Sequence, residues 1–179
     1  TVAADMTFTD DFVAGAWVKA TAYPASAATI ISRYNGTAGW SFQINPSGQV
    51  FLYGFTNGGV SYSEVHSYQS LPLNKWVYIS AQLDMSTFTA TTTTSYVMFD
   101  GVDVPAVVTR AGTNPTALVQ GGNLEVGSSN SGTGFWTGKI AQAFVSSAKI
   151  TQANIKLLMS QGLTPALITS NNIISAYSL

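Results

Sequence analysis

At 179 residues the chain has the length of one domain with a sizeable core and is short for two. Charged residues make up only 8% of it, against about 25% in an average soluble domain, so Ser, Thr, Asn, Gln and Gly must cover the surface. A net charge of −1 without a basic run excludes nucleic acid as a natural partner, and the absence of cysteine excludes disulfides and thiolate metal sites. No apolar run approaches the roughly 20 residues of a membrane-spanning helix.

The predicted elements are almost all strands. Around Phe8 a short edge strand is expected, then FVAGAWVKA at residues 12–20. Residues 29–34 form a strand ended by the turn pair Asn35-Gly36. GWSFQI at residues 39–44 alternates apolar and polar side chains, the period of a strand with one buried face. Asn45-Pro46-Ser47-Gly48 turns it back into residues 50–55, and Asn57-Gly58-Gly59 turns again into a strand at residues 60–64.

Residues 70–104 are the organising stretch, with strands at 76–83 and 95–99 and a threonine-rich loop between them. Asp100-Gly101 then predicts a hairpin into residues 102–104, because its glycine takes positive φ without strain. Short strands follow at 107–110 and 124–127, then a glycine- and serine-rich loop at 128–134 and a long strand at 135–145. One helix is predicted, with Thr151 as cap, Ile155, Leu158 and Met159 as its apolar stripe and Gly162 as its stop. A last strand lies at 173–177. The expected fold is all-β, a two-sheet antiparallel sandwich plus one short C-terminal helix.

The order of these pieces resembles the laminin-G-like, concanavalin A-like jelly roll of bacterial and phage modules. The resemblance is carried by the Trp17-Val18-Lys19 strand, by TIISR at 29–33 followed by GWSF at 39–42, by LNKWVY at 73–78, by FDGV at 99–102, and by VGS at 126–128 with GKIAQAFV at 138–145. It spans residues 12–162 and treats 1–179 as one domain. It implies a non-catalytic module that binds a glycan or a cell-surface receptor, located outside the cell or on a virion. The alternative is a virion structural component, such as a decoration, fibre or tail protein, that meets other virion or surface proteins or further copies of itself. The chain starts at Thr1 rather than Met and shows no signal peptide, so a fragment or a processed product is open.

A glycoside hydrolase is the third reading and ranks well behind, because catalysis finds little material. The acids are Asp5, Asp10, Asp11, Glu64, Asp84, Asp100, Asp103 and Glu125, with no Glu-x-Asp-x-x-Glu run of the kind found in jelly-roll glucanases. His66 is the only histidine and has no evident triad partners. No cofactor is expected. The resemblance admits calcium, for which the adjacent acids Asp10 and Asp11 are the candidates, although solvated turn acids are the preferred reading and the low acid count argues against a strong site. For a sugar, aromatic faces beside amide or carboxylate groups are the relevant pattern. Trp17 and Trp76 are read as core, and Trp40, Phe42 and Ile44 share one face and must be mostly buried. That leaves Asn57, Tyr62, His66, Tyr68 and Trp136 as the candidate ligand-facing residues.

Overall fold

A computed structural model describes residues 8, 11–56, 60–85, 94–112, 122–129 and 133–177. Asn57, Asp10, the threonines 91–93, most of the loop at 111–122 and the tip 130–132 of the glycine-rich loop lie outside the described residues.

Twelve strands and two helices are seen among the described residues. The first five strands are β1 (Phe12–Ala20), β2 (Ala28–Tyr34), β3 (Gly39–Ile44), β4 (Gln49–Thr56) and β5 (Ser61–Ser70). They are followed by β6 (Val77–Leu83), β7 (Tyr96–Phe99), β8 (Val102–Val104), β9 (Ala106–Ala111), β10 (Leu124–Val126) and β11 (Gly138–Ser146). Then come α1 (Gln152–Gln161), α2 (Pro165–Ser170) and β12 (Ile173–Tyr177). The strands make two six-stranded antiparallel sheets, ordered β12-β11-β1-β6-β7-β8 and β10-β2-β3-β4-β5-β9.

The main core lies between the sheets. Phe12, Ala14, Ala16 and Val18 point inward from β1, and they meet Trp40, Phe42 and Ile44 of β3 and Leu52 of β4. Phe8 stacks on Phe12 at 4.6 Å and presents its ring to the edge of Trp40. As the alternation of β3 requires, Trp40 is fully buried. A second cluster lies outside the first sheet. Val13, Tyr78, Met98 and Phe144 face outward there and are covered by Ile150, Ile155, Leu158 and Leu167 from the helical segment. Every residue of β6 is therefore buried, because both of its faces are covered.

Local sequence explains the turns. At the β7–β8 hairpin Asp100 (φ 50°) and Gly101 (φ 72°) both take the left-handed conformation, the geometry of the tight hairpin turn that matches strand twist. The Asp100 carboxylate also accepts a hydrogen bond from the Tyr78 amide at 2.9 Å, which ties the turn to β6. Between β3 and β4, Asn45 Oδ1 accepts from the amides of Ser47 (2.9 Å) and Gln49 (3.0 Å). Its side chain takes over the role of turn backbone and so fixes the register of the pair.

Three expectations need correction. There are two helices rather than one. Thr164 caps α2 by accepting from the Leu167 amide, and Pro165 opens it, but a six-residue helix is too short to display an apolar stripe. The strand expected at 60–64 runs on to Ser70, since its inward positions Ser61, Ser63 and Ser67 are small polar residues that hide the alternation. Lastly, Trp76 is not core: it precedes β6 and is 40% exposed. Trp17 points outward from β1 and is only half-buried, at the margin of the cluster under the helices.

Candidate functional site

Among the described residues no helix covers the outer face of the second sheet, which is built by alternation on three neighbouring strands. On β5 the inward serines leave Tyr62, Glu64 and His66 on the outer side. Register places Phe55 opposite Tyr62, Tyr53 opposite Glu64 and Phe51 opposite His66. One strand further, Gln43 lies opposite Phe51 and Ser41 opposite Tyr53.

The rings support one another. Phe51 stacks on His66 with centroids 4.4 Å apart, Tyr53 packs on Tyr62 at 5.2 Å and on Phe55 at 4.7 Å, and Tyr34 closes edge-on over Phe55. Phe55 is thereby buried although it points outward. Gln43, Asn45, Phe51, Tyr53, Tyr62 and Glu64 line a groove of about 400 Å³ between these rings. Its end is the Asn45 turn, held by the Asn45 amide donating to Gln49 Oε1 at 2.9 Å.

The polar groups of the groove are tuned by its walls. Burial, with Glu64 beside it, pushes the Tyr53 hydroxyl up to about 12, so it stays protonated and remains a hydrogen-bond donor across the physiological range. Burial also pushes the Glu64 carboxyl up; His66 and a hydrogen bond from Thr109 offset part of that rise. Glu64 Oε1 lies 3.4 Å from His66 Nδ1, an ion-pair contact when the imidazole is protonated and a long one for a hydrogen bond. The groove thus offers apolar ring faces, two amides, two phenols and a carboxylate on three strands and the turn between β3 and β4.

Of the residues singled out in the sequence, Tyr62 lines the groove and His66 stacks at its margin. Tyr68 continues the same row of β5 beyond the groove, 63% exposed, with its ring 6.4 Å from His66. Trp136 is not brought to this face. It is half-buried against the main core, and its amide donates to Gly127 O at 2.9 Å. Asn57 lies outside the described residues. The residues that were missed are Gln43, Asn45, Phe51, Tyr53 and Glu64. In the sequence Glu64 stands out only as one of eight acids. The positions two apart on β3 and β4, paired across the Asn45 turn, hold the signal that finds the others.

Among the described residues no three His, Cys, Asp or Glu side chains gather to hold a metal ion. Asp11 is buried, and its Oδ2 accepts from Lys149 Nζ at 2.8 Å, while Asp10 lies outside the described residues.

An antiparallel sandwich with an open, aromatic outer face defines a jelly-roll module of lectin-like architecture. The chain belongs to the concanavalin A-like lectin/glucanases superfamily, whose family model matches residues 1–156. No curated protein matches the sequence. Among solved structures it is similar to a Bacteroides ovatus protein proposed to bind carbohydrate (TM-score 0.66, 16% identity), covering 99% of this chain and 47% of that one. This chain therefore spans about half of that protein. It is also similar to the CBM40 domain of the Ruminococcus gnavus IT-sialidase bound to α2,3-sialyllactose (TM-score 0.64, 11% identity, 84% and 83% coverage). A third is the heptameric SAP-like pentraxin of Limulus polyphemus (TM-score 0.58, 15% identity, 89% and 74% coverage). At these identities the likeness is one of fold.

Proposed function

We propose that this domain is a non-catalytic glycan-binding module that holds sugar in the groove on the outer face of β3, β4 and β5. The observation that carries this reading is the convergence of Phe51, Tyr53 and Tyr62 with Gln43 and Glu64 around one groove. Sugar rings are bound by apolar stacking plus a few oriented hydrogen bonds, and these side chains supply both. Tyr53 is a fixed donor and Glu64 an acceptor for sugar hydroxyls. Glu64 is the one carboxylate among the groove residues, whereas glycoside hydrolysis uses a pair, which supports binding rather than cleavage. The carbohydrate binding proposed for the Bacteroides ovatus protein and the sialyllactose bound by the Ruminococcus gnavus CBM40 domain point the same way. The sparse charge supports a place outside the cell or on a virion surface, with a glycan or glycosylated receptor as partner.

A glycan array followed by calorimetry tests it. A defined sugar should bind, and Tyr62→Ala should weaken binding about tenfold, since a stacking ring contributes roughly 1 kcal/mol beyond its buried area. Binding that is indifferent to both Tyr62→Ala and Glu64→Gln overturns the site. A stable assembly by light scattering that binds no glycan replaces the reading with a structural role.

A further inference from the structure

We propose that the outer face of the other sheet holds a second ligand site, a tryptophan cleft with a lysine pair that takes an acidic sugar residue. Trp17, Trp76 and Ala141 line a shallow, open apolar cleft of about 370 Å³. Register explains how they meet. Trp17 lies between Ala141 of β11 and Tyr78 of β6, and two residues further along the same face Lys19 lies opposite Lys139. The β1–β6 register ends at Val18 and Val77, so the next residue, Trp76, falls across from Lys19. Trp76, Lys19 and Lys139 thus form one row, and Tyr78, Trp17 and Ala141 the next. Tyr78 sets the plane of Trp17 by an edge contact, with centroids 5.4 Å apart and an angle of 70°.

Three observations together call for an anion with an apolar face. The helical cover over this sheet reaches only to Trp17, so the cleft stays open and Trp76 is 40% exposed. Like charges directly opposite on neighbouring strands destabilise a sheet, yet Lys19 and Lys139 occupy such a pair. Among the described residues neither of them, nor Lys75 beside Trp76, is in an ion pair. Two of the five lysines of the chain thus face each other here with no ion pair among the described residues.

The occupant follows from this chemistry. A pyranose presents a C–H face to tryptophan, and its carboxylate or sulfate would sit over the lysine pair. A second copy of the chain docked here about a two-fold axis would bring lysines against lysines. A peptide would need partners for its backbone groups, and the cleft walls offer only two indoles and an alanine. The site shares no residue with the groove and does not rest on that reading.

The test is calorimetry on the full chain with three probes: a chondroitin sulfate tetrasaccharide, which carries carboxylate and sulfate, neutral chitotetraose, and hexaglutamate. The sulfated tetrasaccharide should bind, with affinity falling as salt rises. Trp76→Ala should weaken it about tenfold and Trp76→Tyr much less, as loss and retention of a stacking ring imply. Lys139→Gln should weaken it about fivefold and flatten the salt dependence, since one screened charge is removed. Thermal melts confirm that each variant folds. No binding of the tetrasaccharide, equal binding of chitotetraose, or insensitivity to Trp76→Ala overturns the proposal. So does preferential binding of hexaglutamate, or a dimer that Trp76→Ala dissolves. Tyr62→Ala separates the two sites, because failure of the groove alters neither the Trp76 nor the Lys139 result.

Discussion

The two outer faces of this sandwich were given the same starting material and opposite fates. Both sheets have six strands, and both project aromatic rings away from the shared core. Over the first sheet, α1 and α2 bury Val13, Tyr78 and Phe144 and make a second core. Over the second, Phe51, Tyr53 and Tyr62 are left to one another and to water. The contrast is sharpest between β6, buried at every position, and β5, whose buried and half-buried positions alternate through residues 61–67. A covered face becomes stability and tolerates no gap, whereas an open face carries polar groups and can hold a ligand. Where the cover stops, at Trp17, the first sheet also acquires an open aromatic patch.

Substitutions on the covered face should produce the largest effects. Phe144 is fully buried between β11 and the helices, and Phe144→Ala should cost about 3–5 kcal/mol in urea unfolding, through lost burial and the cavity left behind. Loss of stability without any loss of groove affinity in the folded fraction would confirm that the two faces are independent. Next comes Gly15, across which the Phe144 ring lies. A Cβ there would overlap that ring, so Gly15→Ala should cost about 1–3 kcal/mol, measured the same way. An unchanged melt would mean that the ring can move aside and that the cover is looser than described.

The open face should behave in the opposite sense. Folding raises the Glu64 carboxyl above its unfolded value, chiefly by burial. The ionised form is therefore disfavoured by folding, and the contribution of Glu64 is fully present in acid and is lost as pH rises through the raised value. Glu64→Gln should remove that decline and leave the protein as stable as the parent or slightly more so at neutral pH, while weakening glycan binding. Thermal melts at acid and neutral pH, with calorimetry on the same samples, decide it. A variant clearly less stable at neutral pH would show that the contact with His66 outweighs burial. The smallest effect is expected at Tyr68, exposed beyond the groove: Tyr68→Ala should leave stability within about 0.5 kcal/mol and change affinity little. A loss comparable to that of Tyr62→Ala would extend the site along β5.

Much of the fold was legible because its signals are local. Period-two alternation in GWSFQI, the Asp100-Gly101 and Asn45-Pro46-Ser47-Gly48 turns and the Thr151 cap each depend on a few neighbouring residues. They held when the chain folded. The length of β5 was obscured because serine, a polar residue, fills its inner positions. α2 was missed because six residues show no stripe, although Thr164-Pro165 is a start signal.

The site was only half legible for a different reason. Alternation by itself showed that Trp40 must be buried, but His66 lay beyond the strand expected at 60–64, and only the observed length of β5 puts it on the same side as Tyr62. Alternation could not say which of two sheet faces the helices would cover, since that depends on where α1 and α2 pack in the folded structure. Trp76 was therefore read as core and is exposed, while Trp136 was read as ligand-facing and packs on the core. The sequence by itself determined strands, turns and the inward face of each strand, because these follow from backbone geometry and side chains two apart. Only the tertiary structure decided which rings meet across β3, β4 and β5, how far burial shifts Tyr53 and Glu64, and where an aromatic face stays open. Those properties arise from register and cover between segments far apart in the chain.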